Sequence, residues 1–217
     1  MTEFKMSLFL APISPVKDAE TGQITQPATL KPYKTLNIRE VYEIITTNKR
    51  LQALTLQVRQ ASEAGDIRTY RALKQKLLPY VTPCGTFSRR RGDCLLEASG
   101  LVVVDVDHLD STEEAEELRR RMFEDSFLKP ELVFISPCGR GVKAFIPYDL
   151  LRIPDIRQNA AENIYWAMDY VQCAYGDGNM KSDKGVDTSG KDLVRACFLS
   201  YDEKALFRAS HDEVISD

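Results

Sequence analysis

Two histidines, His108 and His211, are all that the 217 residues supply, and that excludes a histidine-rich metal centre. Cysteine offers no framework either: Cys84, Cys94, Cys138, Cys173 and Cys197 are odd in number and none has CxxC spacing. They read as reduced intracellular thiols, neither a disulfide scaffold nor a zinc knuckle. An excess of one charge is missing as well. Lys and Arg total 29 against 32 Asp and Glu, a formal net charge of −3. No global basic field advertises nucleic acid, so any such contact rests on local patches. Long apolar runs are lacking. Residues 1–10 are too short a stretch for export and nothing later suits a bilayer span, so the expectation is a cytoplasmic protein with no membrane partner. The length suits one domain of two lobes, residues 1–80 mainly helical and residues 81–217 built on a sheet.

What the chain does have is Leu101-Val102-Val103-Val104-Asp105-Val106-Asp107. The run is apolar on both faces, the mark of a strand buried on both sides. Residues i and i+2 of a strand point the same way, about 7 Å apart along the rise, so Asp105 and Asp107 share a face. Two neighbouring anions repel unless a cation joins them, and hard oxygen ligands suit Mg²⁺ or Mn²⁺. The plain alternative is that one Asp caps the next helix while the other is solvated.

Around this strand the pattern is mixed. Residues 1–35 suggest an edge segment and a loop, with a turn at Thr21-Gly22 and with Pro27 and Pro32. Asn37 caps a helix carrying Ile38, Val41 and Ile45 and continuing through Leu51, Leu54 and Val58. Asp66 caps another with Ile67, Tyr70, Leu73 and Leu77, whose Arg68, Arg71, Lys74 and Lys76 read as a solvated surface. Thr86 to Glu97 reads as a hairpin with Arg89, Arg90 and Arg91 at its tip, either phosphate contacts or inert surface arginines. Ser111 with Glu114 forms a capping box opening a helix through Met122. Strands at 132–136 and 142–148 flank a tight loop, a helix spans roughly 159–175, and a last strand covers 194–201. The order predicts an α+β sheet with one main face covered by helices.

Two further constellations carry chemistry. In Ser136-Pro137-Cys138-Gly139-Arg140-Gly141-Val142-Lys143, two glycines let the backbone turn sharply so that its amides can cradle phosphate. Lys143 adds a point charge and Arg140 a fork-shaped one; the bland reading is a hairpin turn with basic decoration. Asp187-Thr188-Ser189-Gly190-Lys191-Asp192-Leu193-Val194-Arg195 offers a further carboxylate and a cation, or is an ordinary polar loop. Spacing does not choose among Asp183, Asp187, Asp192 and Asp202. The stretch 185–192 nearly spells a Walker A loop, but Asp192 stands where a Ser or Thr hydroxyl belongs. A haloacid-dehalogenase-like phosphatase is a second alternative, from Asp105, Asp107, Ser136, Lys143 and Gly176-Asp177-Gly178, though Leu109 stands where that pattern has Thr or Val.

Taken in order, the apolar DxD, the S-x-x-G-x-G-x-K turn and D-x-S-G-x-D-x-x-R before a strand resemble the archaeo-eukaryotic primase/prim-pol superfamily, closest to the branch at the N-terminus of virulence-associated protein E-like proteins. The likeness covers residues 77–202 and includes Pro83 to Phe87 and Cys197 to Asp202. It implies an RRM-like sheet core with an N-terminal helical lobe and a nucleotidyl transfer in DNA replication of a mobile element or genome. It also implies Mg²⁺ or Mn²⁺ on Asp105, Asp107 and, as third acid, Asp187, with the ions roughly 4 Å apart. Ser136, Gly139, Arg140, Gly141, Lys143 and Arg195 would hold nucleoside triphosphate phosphates, and Arg89, Arg90 and Arg91 a single-stranded template. Most members carry His where this chain has Lys143, which neutralises phosphate but does not shuttle protons as imidazole does. A helicase would act from a separate chain, and a weakly catalytic nucleotide- or nucleic-acid-binding replication accessory is the companion reading.

Overall fold

The computed structural model, which describes residues 3–176 and 185–208, departs from the sequence reading at its first strand. β1 (Lys5–Phe9) is an interior strand with Met6 and Phe9 fully buried, where the sequence suggests an edge. A small hairpin, β2 (Val16–Lys17) and β3 (Ile24–Gln26), leads to β4 (Lys34–Asn37), which pairs antiparallel with β1. Asn37 then caps α1 (Ile38–Thr47): its side chain accepts from the Glu40 amide, and the Glu40 carboxylate accepts from the Asn37 amide, each at 2.9 Å. The apolar positions that read as one helix divide at Asn48. Its amide donates to Ile44 O and its side chain accepts from Leu51 N, closing α1 and opening α2 (Lys49–Glu63). Asparagine competes for backbone groups in this way wherever a helix can be interrupted. Asp66 caps α3 (Ile67–Leu77) as expected.

β5 (Tyr80–Thr82) covers the other side of β1, and β6 (Gly85–Phe87) pairs with β7 (Leu95–Ala98) as the arginine-tipped hairpin. The remaining elements are β8 (Leu101–Asp107), α4 (Thr112–Glu124), β9 (Leu132–Ile135), β10 (Val142–Pro147), α5 (Ile156–Tyr175), β11 (Gly185–Val186), β12 (Cys197–Phe198) and β13 (Leu206–Phe207). Ser111 caps α4, but the Glu114 carboxylate accepts from the Asp110 amide at 2.7 Å instead of closing the box on Ser111. The long last strand predicted over 194–201 shrinks to β12. Arg195 N turns back onto Asp192 O, and beyond β12 the chain crosses between sheets, Leu199 N reaching Pro79 O and Ser200 Oγ reaching Ile135 O.

Every described strand pairing is antiparallel, in an α+β fold with a four-stranded sheet ordered β12-β5-β1-β4 and a five-stranded one ordered β11-β8-β10-β9-β13. The two faces of β8 enter different cores. Val102, Val104 and Val106 join Leu118 and Met122 of α4 and Ile164 and Met168 of α5. Leu101 and Val103 face Met6 and Leu8 of β1, Val41 of α1 and Val58 of α2. Both faces of the larger sheet are therefore covered, not one. The double burial follows from a strand with no polar residue until Asp105, since each buried Val or Leu contributes roughly 1.5–3 kcal/mol. All five cysteines are free. Among the described residues no helix is long and apolar enough to cross a membrane.

Candidate functional site

Asp105 and Asp107 follow Val103 on the face of β8 turned toward β1, α1 and α2, because side chains alternate along a strand. β10 runs antiparallel beside β8 with Lys143 directly opposite Asp105, and directly opposed residues share a face. Lys143 Nζ lies 2.6 Å from Asp105 Oδ2, with both side chains less than a tenth exposed. Burial pulls the Lys143 ammonium toward a lower pKa, and the Asp105 carboxylate more than reverses that, so its pKa ends above the ordinary lysine value. On the other side of β8, β11 pairs Gly185 with Asp107 and Val186 with Val106. The next amide, Asp187 N, donates to Asp105 O at 2.9 Å, so register alone brings Asp187 beside the DxD pair.

Arg195 closes this side. Its guanidinium donates to the Asp187 carboxylate, stands 3.6 Å from Asp105 Oδ2 and reaches Ser189 Oγ at 3.2 Å. Asp187 Oδ1 also accepts from Ser189 N at 2.9 Å. Burial would raise the Asp187 pKa, but the Ser189 bonds and Arg195 overcome it and hold the carboxyl at about 2. Of the competing acids, Asp192 is exposed at the cavity rim, and Asp202 is buried elsewhere. Asp202 takes Arg119 Nη1 on both oxygens at 2.8 Å and the Ile135 amide at 2.9 Å, a structural ion pair. Asp183 lies outside the described residues.

The glycine turn contributes less than its motif suggests. Ser136 is buried and lines the cavity, and Ser136 N donates to Gly141 O at 2.8 Å. Gly141 permits a close approach: a Cβ there would meet Val106 O at 2.6 Å, Ser136 Oγ at 2.8 Å and Asp107 Oδ1 at 2.9 Å. Gly139 adopts a left-handed φ of 81° and backs onto Arg59 instead of the cavity. Arg140 is exposed and does not line the cavity, because a tight turn that buries Ser136 sends the tip side chain outward. Of the arginine tip, Arg91 pairs with Asp93 at 2.6 Å and Arg89 is exposed, whereas Arg90 reaches inward.

These groups line a cavity of about 370 Å³ together with Ile13, Tyr70 and Lys74 of α3, and Phe198 of β12. Lys74 belongs to the helix whose basic residues read as solvated surface, and that reading is corrected for this one side chain. Tyr70 and Lys74 are four residues apart, one face of α3, and Tyr70 already sat in the apolar pattern; that spacing was the signal available. Burial and neighbouring Lys143 push the Lys74 ammonium below the ordinary lysine pKa.

Two observations bear on the divalent cation implied by the primase resemblance. Asp105 Oδ1 is buried with no hydrogen-bond partner among the described residues, and such an oxygen is costly to leave unmatched. Burial first, then the charges of Asp105 and Asp187, outweigh Lys143 and Lys74 and raise the Asp107 pKa above the usual carboxylate value. These features fit a hard cation at the Asp105–Asp107 pair. Among the described residues, however, no group of three or more His, Cys, Asp or Glu is arranged to hold a metal ion, and Asp187 is engaged by Arg195.

A family model described as BT4734-like, N-terminal domain, matches residues 72–207, more than half of the sequence. The chain belongs to that family. No curated protein and no solved structure matches it. The matched segment of this BT4734-like domain begins inside α3 and ends with β13, so it contains Lys74, Arg90 and every acid and base of the site. Ile13 and Tyr70 come from outside it.

Proposed function

We propose that this protein is a metal-dependent nucleotidyltransferase of the primase-polymerase type, acting in DNA replication of a mobile element or genome. The observation that carries the reading is one cavity in which Asp105, Asp107 and Asp187 meet Lys143, Arg195, Lys74 and Arg90. Its size falls within the range of small-molecule sites, and paired carboxylates beside clustered cations suit a magnesium- or manganese-bound nucleoside triphosphate. The element order β8-α4-β9-β10-α5-β11, laid out as β11-β8-β10-β9, is a β-α-β-β-α-β arrangement and supports the RRM-like core that the primase resemblance implies.

In this reading Asp105 and Asp107 hold the cation, which when bound would lower the pKa of an attacking hydroxyl and neutralise the departing phosphates. The Ser189 bonds and Arg195 keep Asp187 ionised, and Arg195 links it to Asp105. Lys143 neutralises Asp105 until substrate enters, and Ser136, held between Gly141 and Cys138, presents a hydroxyl to the cavity. Incubation with single-stranded template, labelled nucleotides and Mn²⁺ tests the proposal. Asp105→Ala and Asp107→Ala abolish primer synthesis or extension while circular dichroism stays native. Unaltered activity in both variants refutes it.

One observation favours a second reading, a nucleotide- or nucleic-acid-binding replication accessory. Lys143 and Arg195 are both held on the acids. By the primase resemblance, lysine also stands where most members of that superfamily carry histidine. Template and nucleotide binding without incorporation would select it. The phosphatase alternative lacks its scaffold among the described residues, since its doubly wound parallel sheet is incompatible with strands paired antiparallel throughout.

A further inference from the structure

The cavity is lined by four cations and four carboxylates, but the cations are held in two different ways. Lys143 and Arg195 are bonded to Asp105 and Asp187, so each is already neutralised by a neighbour. Lys74 and Arg90 are not. Lys74 Nζ lies 5.1 Å from the Tyr70 ring centroid and 5.5 Å from that of Phe198. Arg90 sits over the Tyr80 ring at 5.7 Å, donates Nη2 to Ile13 O at 3.0 Å and keeps a buried Nε without a partner. Neither has a carboxylate within ion-pair distance among the described residues. Tyr80 and Phe198 also touch each other, ring centroids 5.9 Å apart. Lys74, Phe198 and Arg90 line the cavity together with the acids of β8, and the fully buried Tyr80 ring lies behind them and joins the Phe198 ring to Arg90.

A ring face attracts a cation without cancelling its charge, whereas a carboxylate bond must be broken before the cation can serve another anion. The geometry points to Lys74 and Arg90 as the groups that receive the polyphosphate of a nucleotide, ahead of Lys143 and Arg195. This rests on the nucleotide reading of the same cavity and goes beyond it by assigning anion capture to α3 and the hairpin tip instead of to the cations bonded to the acids. The rings of Tyr70 and Phe198 hold Lys74, and the buried Tyr80 ring holds Arg90, with both cations in the cavity lining. Lys143 and Arg195 then engage phosphate only when the acids they hold find another partner.

The test is calorimetric titration of the full chain at low salt without divalent metal, using inorganic tripolyphosphate, ATP and adenosine as probes. A charge-assisted hydrogen bond is worth about 1.5–3 kcal/mol, so Lys74→Gln and Arg90→Gln should each weaken tripolyphosphate and ATP about 10- to 100-fold. Lys74→Arg and Arg90→Lys should restore most of the affinity. Arg71→Gln, on the exposed side of α3, should stay within about twofold of the unmodified protein. Circular dichroism and melting of each variant separate lost contacts from lost fold. If the unmodified protein binds ATP and both glutamine variants bind it equally well, this assignment is overturned while the nucleotide reading survives. If the unmodified protein binds neither tripolyphosphate nor ATP, both fall together.

Discussion

Replacing Lys143 by methionine removes one half of a buried ion pair and keeps most of the side-chain volume. Asp105 is then left less than a tenth exposed, with Oδ1 already unpartnered, and with Arg195, 3.6 Å from Oδ2, and the more distant Lys74 to offset its charge. Breaking such a pair from one side costs about 3–5 kcal/mol, since the remaining charge stays desolvated. The residual Arg195 contact puts the expected loss near the lower end, roughly 3 kcal/mol. For a chain of this size each kcal/mol shifts the midpoint by about 2–4 °C, so Lys143→Met should melt on the order of 10 °C below the unmodified protein. Asp105→Asn combined with Lys143→Met removes the orphaned charge and should recover most of that loss, giving a coupling of about 2 kcal/mol in a double-mutant cycle. Millimolar Mn²⁺ should raise the melting temperature of Lys143→Met more than that of the unmodified protein, and should leave the double variant unmoved, because Asp105 then competes for cation without lysine. Thermal and urea melts followed by circular dichroism measure all three. A single variant that melts within about 2 °C of the parent, or a double variant that loses the sum of both singles, would show that the pair is not the desolvated contact described here.

Acid should destabilise the fold through Asp187. Its folded pKa of about 2 lies below the unfolded value near 4, so its contribution is present above about pH 4 and is lost as pH falls through that window toward 2. Asp187→Asn should flatten this limb of the stability-versus-pH curve by on the order of 1 kcal/mol after allowance for solvent screening, and an unchanged limb would count against the Ser189 and Arg195 bonds as its cause. Gly141→Ala places a methyl 2.6 Å from the carbonyl of Val106, a backbone atom that does not step aside. Overpacking of this kind costs about 1–3 kcal/mol and should displace Ser136 and Asp107, so weakened ATP binding accompanies a lower melting temperature; an alanine variant equal to the parent in both would exclude the close approach.

Much of the scaffold was legible in the sequence because it depends on residues within a turn or a strand of one another. Asn37, Asp66 and Ser111 each offer an oxygen to an amide three residues on, and that geometry needs no distant partner. The two-sided burial of β8 could be read from its unbroken valines, and the shared face of Asp105 and Asp107 from strand alternation. The local reading failed where a segment's environment comes from elsewhere. Residues 5–9 look peripheral until β4 and β5 close on both sides of them, and Lys74 looks like solvated decoration until β12 and its Phe198 arrive over α3.

The sequence by itself therefore determined the caps, the buried strand, the common face of its two acids and the sharp turn at Gly139. Tertiary structure alone decided which charges meet. Lys143 reaches Asp105 across 38 residues because β10 runs antiparallel in one particular register, and a slip by a single position would send it to the opposite face. Asp187 comes beside them through β11, while Arg140 and Arg89 remain in solvent and Asp202 is drawn to Arg119. Charge pairing depends on through-space separation of a few ångströms, and separation along the chain carries almost none of that information.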